Sequence, residues 1–237
     1  MKYTSIVITT FISNQLRLKM FRTSMESLLE TTKNLPVEII VVDNGGYEEL
    51  SLELLSLVES GEIQCYVKNA TNLHFGMARN QGIAMATGDY IVIADNDIYY
   101  EKGWLEACLK PLGTYPDRKI YATPINYPTG FKEEQYNQGK LDIEGVVYNL
   151  NMRAGSNCFV IRKEDLKIIG SFMAHRIAGS KWTDKAVELG YLAAVTPINM
   201  VKDLGLRLGY NHSQVIPIKR VLRNGQEIIY NEDGFKG

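Results

Sequence analysis

The sequence predicts an α/β protein with a mostly parallel central sheet and helices on both faces. Short apolar, β-rich runs recur through its first half: "SIVITTF" (5–11), "VEIIVVD" (37–43), "IQCYVKN" (63–69) and "YIVIA" (90–94). None shows the polar alternation of a strand with one wet face, so each is expected to be buried on both sides. Between them lie segments with apolar residues at helical spacing. Alternating strands and helices imply right-handed crossovers onto a parallel sheet.

The first helix is read in "LRLKMFRTSMESLLETT", where Leu18, Phe21, Met25, Leu28 and Leu29 fall on one face. The turn "NGG" closes the second strand, and "YEELSLELLSLVES" is a second amphipathic helix. "GMARNQGIAMAT" is a short helix before the fourth strand, and "KIYATPIN" (119–126) follows "GWLEACLKPLG" as a further strand. Residues 127–150 are rich in Tyr, Gly, Asn and charge without a clear period, and are expected to form a long loop or irregular excursion. "SNCFVIR" reads as a strand, then "KEDLKIIG" and "KWTDKAVELG" as helices ended by glycine. Asn224-Gly225, between apolar runs, signals a C-terminal hairpin. No repeat or linker divides the chain. The expectation is one domain with a first half over 1–110, a second over 111–210 and an extension over 211–237.

With 26 Lys and Arg against 27 Asp and Glu, bulk charge offers no attraction to nucleic acid or anionic membranes. Cys65, Cys108 and Cys158 are odd in number, scattered and in apolar settings. They read as buried reduced thiols, which points to a cytoplasmic protein. The apolar run at the start is too short for a signal peptide, and no run approaches the roughly 20 apolar residues of a membrane span.

Ligands of open parallel sheets bind outside the carboxyl ends of the strands. Strand one ends at Thr9-Thr10, strand two at Asp43 and strand four at Asp95-Asn96-Asp97, which places all three along one rim. Asp95 and Asp97, at roughly 6 Å and an effective dielectric of about 20, would repel by about 3 kcal/mol. A hard cation, Mn²⁺ or Mg²⁺, offsets that repulsion, and such ions take one or two carboxylates plus substrate phosphates. The competing reading is that these residues cap turns, as Asp and Asn often do.

The ordered set "SIVITTF…EIIVVDN…GMARNQGIAMATGDYIVIADNDI" resembles the nucleotide-binding half of GT-A fold glycosyltransferases, specifically glycosyltransferase family 2. The likeness covers roughly the first 110 residues well and continues more loosely to about residue 200. It implies a Rossmann-like GT-A domain that takes a nucleoside-diphosphate sugar, UDP-sugar favoured, and transfers one sugar with inversion. By the resemblance, Thr9 and Phe11 flank the donor base and Asp43 accepts a hydrogen bond from it. Arg79 and Asn96 lie on the donor site, Asp95 stands near the ribose, and Asp95 and Asp97 face the metal. Thr9 stands where the family commonly has Pro, and Ile98 where a further acid is frequent.

The same resemblance makes Asp184 the candidate general base, from the segment "GSKWTDKAVELGYLAAVTP", where an acidic residue precedes a helix. The alternative for Asp184 is an ordinary helix-start acid stabilised by the helix dipole. Glu188 falls one turn later. Gly155 and Ser156 give room for an acceptor sugar, and Trp182 either stacks on a sugar face or packs in the core. His212 falls where several GT-A enzymes place a late metal-binding histidine. His74 could touch donor phosphate, His175 has no visible role, and Lys202, Arg207, Lys219 and Arg220 read as solvated charge. Acceptors open to such an enzyme are carbohydrates, lipid-linked sugars, protein side chains and modified bases.

A sugar nucleotidyltransferase is disfavoured because "TTFISNQ" after strand one has no Gly and no Lys. A dinucleotide enzyme would need G-x-G-x-x-G after an early strand. A catalytically degenerate binding module remains the non-enzyme alternative.

Overall fold

A computed structural model describes residues 3–124, 136–155, 157–174 and 178–204, together with the backbone of strands 218–221 and 227–230. The chain divides into two compact units, residues 1–203 and 204–237.

The first unit is an α/β domain on a nine-stranded sheet. Its first half runs β1 (Thr4–Thr10), α1 (Gln15–Thr32), β2 (Val37–Asp43), α2 (Glu48–Glu59), β3 (Cys65–Lys68), α3 (Phe75–Met85) and β4 (Tyr90–Asp95). Then come β5 (Ile98–Tyr100), α4 (Trp104–Thr114), β6 (Ile120–Thr123), β7 (Asn137–Ile143), β8 (Val146–Asn151) and β9 (Cys158–Arg162). α5 (Lys163–Ile169), α6 (Ala178–Glu188), β10 (Leu192–Val195) and β11 (Val201–Asp203) complete it. The strand order is β3-β2-β1-β4-β9-β6-β10-β8-β7. Only β9 and β8 run against the common direction, so the sheet is largely parallel as expected.

β1, β2 and β4 lie inside the sheet because they are mostly apolar, and the one acid within them short of the rim, Glu38, is buried with hydrogen bonds from Ser5 and Thr87. On one side, Ile6, Ile8, Val41 and Val92 pack under Leu18, Phe21 and Leu28 of α1 and Leu50 and Leu54 of α2. On the other, Val7, Ile40, Ile91 and Ile93 join Leu166 and Ile169 of α5 and Trp182 of α6. Register then fixes the rim: Thr10 lies opposite Asp43 and Thr9 opposite Asp95.

The expectation of an irregular excursion over 127–150 is corrected for its described part. Residues 137–151 form the β7–β8 hairpin at the sheet edge, with Leu141, Ile143, Tyr148 and Leu150 turned into the core. Glu144 and Gly145, both at positive φ, make the turn. The three cysteines are free; Cys108 and Cys158 are buried and Cys65 is half-buried. Among the described residues no helix is long and apolar enough to cross a membrane.

The second unit contains the expected hairpin, β12 (Ile218–Val221) paired antiparallel with β13 (Glu227–Tyr230).

Candidate active site

The rim carries the predicted residues side by side. Asp43 is fully buried at the end of β2. Its Oδ1 accepts from the Gly46 N–H at 2.8 Å, and its Oδ2 from the Tyr66 hydroxyl at a long 3.4 Å. The turn it closes needs Gly45, at φ +94°, where a Cβ would sit 2.9 Å from the Thr71 carbonyl carbon. Asn44 ties that turn to the chain before α3. Its Nδ2 donates to Asn72 Oδ1 at 2.8 Å, and its Oδ1 accepts from Asn69 Nδ2 and the Leu73 N–H. Gln81 and Asn69 exchange amide bonds behind it. This amide network is invisible to periodicity, because Asn44, Asn69 and Asn72 lie between elements and Gln81 on α3, far apart in sequence.

Thr9 is buried beside Asp95, and its Oγ1 has no hydrogen-bond partner among the described residues. Phe11 is half-buried just past the strand end. Asn96 fastens the acidic turn to β1 through an Nδ2 bond to Thr10 Oγ1 at 2.8 Å. Arg79 projects from α3 into the protein with no exposed surface. Its Nη2 lies 2.7 Å from Asp95 Oδ1, and its guanidinium rests 3.5 Å over the Phe75 ring. Burial pulls the guanidinium down to about 10, with Asp95 opposing, so it stays protonated at neutral pH. Burial likewise raises Asp95, against the pull of Arg79.

Asp97 is a strongly perturbed acid. Burial, then Asp95 and Asp203, push its carboxyl up to about 7, with Arg17 opposing. Asp203, which sequence reasoning did not single out, ends β11 and stands opposite Ile98 on β5. A three-residue strand carries no periodic signal that could have revealed it. Among the described residues no group of three or more His, Cys, Asp or Glu is arranged around one metal position. The oxygen-only character of Asp95 and Asp97, and the negative charge of Asp95 and Asp203 that adds to burial in raising Asp97, nevertheless suit a hard divalent cation that takes its remaining ligands from phosphate and water.

The second half of the site departs from expectation. α6 begins by Ala178, so Asp184 lies within the helix and does not precede it. Its carboxylate pairs with Arg153 at 2.5 Å and keeps 30% of the side chain exposed. The helix read in "KWTDKAVELG" already contained Asp184, but the pairing with Arg153 was not foreseen. Trp182 is only 3% exposed, stacked against Phe159 and Phe172, and its Nε1 donates to the Gly170 carbonyl. Of the two readings of Trp182 the structure shows core packing, which corrects the sugar-stacking one: the ring is buried against Phe159 and Phe172. Gly155 precedes β9, while Ser156, His175, Arg207 and His212 lie outside the described residues. His74 caps α3 at φ 67°. Lys202 pairs with Glu101.

With this geometry in place, comparison with known proteins identifies the class. The profile of glycosyl transferase family 2 matches residues 5–175, and the chain belongs to that family. Among curated relatives, it is 27% identical over 162 residues to glycosyltransferase AglE of Haloferax volcanii, covering 65% of this chain and 52% of the relative. The chain thus matches about half the length of that relative. Among solved structures, the mannosyltransferase PcManGT of Pyrobaculum calidifontis, in complex with GDP-Man and Mn²⁺, aligns with a TM-score of 0.68. It is 16% identical, over 89% of this chain and 59% of that one. GalNAc-T7 with UDP, GalNAc and Mn²⁺ aligns with a TM-score of 0.67 at 16% identity, over 84% of this chain and 43% of that one. These likenesses bear out the GT-A fold.

Proposed function

We propose that this chain transfers one sugar, with inversion, from a nucleoside-diphosphate sugar to an acceptor hydroxyl. The observation that carries the reading is the register that sets Asp43, Thr9 and the Asp95–Asn96–Asp97 turn along one strand-end rim of a family 2 domain. The base would lie by Thr9, Phe11 and Asp43, where among the described residues Asp43 Oδ2 has only its long contact to Tyr66 to exchange. Asp95 and Asp97 would hold Mn²⁺ or Mg²⁺, which supplies charge neutralisation for the leaving diphosphate. The Mn²⁺ complexes of the two neighbouring structures support that choice of ion.

In this chemistry the acceptor oxygen forms its bond to the anomeric carbon as the carbon–oxygen bond to the diphosphate breaks. The diphosphate leaves with the electron pair, and the acceptor proton passes to a base. Asp184 is the residue assigned that task, its carboxylate held in place by Arg153 and reachable from solvent. Arg79 keeps Asp95 fixed and compensates its charge from below.

The test offers UDP- and GDP-sugars with simple glycoside acceptors in Mn²⁺, follows nucleoside diphosphate release, and reads the product anomer by NMR. The reading expects an inverted anomer, and in Asp184→Asn a rate lower by about 10²–10⁴ with donor binding intact. A retained anomer, or a variant as active as the parent, overturns the mechanism.

A further inference from the structure

Resting on the assignment of Asp184 as the base, we propose that Asn151 and Tyr121 are positioning residues for it, sharing a buried water that pins the chain carrying Arg153. Asn151 is the last residue of β8 and has no exposed surface. Neither its Nδ2 nor its Oδ1 has a hydrogen-bond partner among the described residues. A donor and an acceptor both left unmade in the interior are destabilising, so the site calls for a group that accepts from one and donates to the other. Water does both, whereas an apolar neighbour does neither.

Register gives the water its place. Asn151 lies opposite Ala193 on β10, and Ala193 lies opposite Tyr121 on β6. Residues of one such row share a face of the sheet, here the face that packs against Trp182 and Ala186 of α6. Between the amide and the phenol the row carries only the methyl of Ala193, which leaves room for a water with polar partners on both sides. The Tyr121 hydroxyl is buried and makes no hydrogen bond of ordinary geometry among the described residues. Burial raises its pKa, against the pull of the Ala154 N–H and the Arg153 guanidinium, so it faces that stretch of chain.

The stretch matters for what it carries. β10 and β6 separate β8 from β9 in the sheet. The chain leaving Asn151 therefore crosses over those two strands on its way to β9, and Ala154 is buried there with Tyr121 and Ala193. Arg153 stands in that crossing and pairs at 2.5 Å with Asp184 Oδ1, which is turned inward. A water bonded to Asn151 and Tyr121 fixes the floor beneath Arg153, and through Arg153 the direction of the Asp184 carboxylate.

The experiment measures kcat in Mn²⁺ with whichever of UDP-glucose, UDP-GlcNAc and GDP-mannose the parent turns over, and the affinity of that donor by calorimetry. Asn151→Leu keeps the volume and loses both amide groups; Tyr121→Phe keeps the ring on Phe159 and Trp182 and loses only the hydroxyl. Each should lower kcat about tenfold with donor affinity unchanged. The two together should lose hardly more than either alone, because one water serves both. Neither should lower further the residual rate of Asp184→Asn. Tyr121→Phe, the milder change, decides the matter if Asn151→Leu fails to fold. Losses that multiply in the double variant or persist in Asp184→Asn, or a parent kcat in folded single variants, refute the positioning role and leave the base assignment standing. A parent that turns over none of these donors, or an Asp184→Asn variant as active as the parent, refutes the underlying reading and this assignment together.

Discussion

Replacing Asp97 by Asn should stabilise the metal-free protein at alkaline pH, against the usual expectation for an altered site. The Asp97 carboxyl ionises near 7 in the fold, against an ordinary 3.8, because burial and the neighbouring Asp95 and Asp203 oppose its charge. The folded chain therefore holds this proton more tightly than the unfolded chain. Its contribution favours folding at low pH and is lost as pH rises from about 4 through about 7. Moving an acid from 3.8 to about 7 corresponds to about 4 kcal/mol in full. Asp97 is partly exposed, and water reaching it reduces this to about 2 kcal/mol between pH 5 and 8. In a domain of this size that is a shift of about 4–8 °C in Tm. The assay is thermal unfolding of parent and Asp97→Asn in EDTA across that range, taking the difference so that other titrating groups cancel. The variant's lead over the parent should grow by about 4–8 °C between pH 5 and pH 8, and vanish only below about pH 4. A variant less stable than the parent at pH 8, or a difference that does not change with pH, refutes the electrostatic account of this rim.

Two further predictions probe the scaffold beneath it. Glu38 is buried at the start of β2 and accepts from Ser5 Oγ, the Thr87 N–H and Thr87 Oγ1 at 2.5–2.7 Å. Burial alone would raise its carboxyl, yet these donors outweigh it and hold it below the ordinary value. Glu38→Ala should cost about 3 kcal/mol in urea unfolding at pH 7, and less as pH falls into the acid range where the parent loses the same contribution. Gly82 lets α3 lie on the sheet: a Cβ there would stand 2.3 Å from Val7 Cγ1. Gly82→Ala should destabilise by about 2 kcal/mol, and Val7→Ala in the same chain should recover part of that loss if overpacking is the cause.

Much of this was legible in the sequence where burial is total. β1, β2 and β4 are apolar because both faces are covered, and the polar residue at which each run stops is the rim itself. The β7–β8 hairpin was not read because most of its residues are exposed at the sheet edge. Its signal was present, with Leu141 and Ile143 alternating on one side of Glu144-Gly145 and Tyr148 and Leu150 on the other. The Trp182 stripe was also readable. Ala178, Trp182 and Ala186 recur every four residues and are all buried, which is the spacing of a core face rather than of a binding platform. Arg153, Asp203 and the Asn44–Asn69–Gln81 network act across long sequence separations, and no local pattern reports such contacts. Arg79 was assigned to a pocket lining, whereas its burial under Phe75 makes it the counter-charge beneath Asp95.

The central claim is that the strand-end rim holds a nucleoside-diphosphate sugar through a divalent cation at Asp95 and Asp97. Calorimetric titration of UDP-glucose, UDP-GlcNAc and GDP-mannose into the parent, in Mn²⁺ and in EDTA, and into Asp97→Asn in Mn²⁺, tests it most directly. The account predicts that at least one of them binds the parent in Mn²⁺ and binds at least about tenfold more weakly when either the ion or the carboxylate is removed. Binding of none of the three, or binding indifferent to both changes, would contradict it.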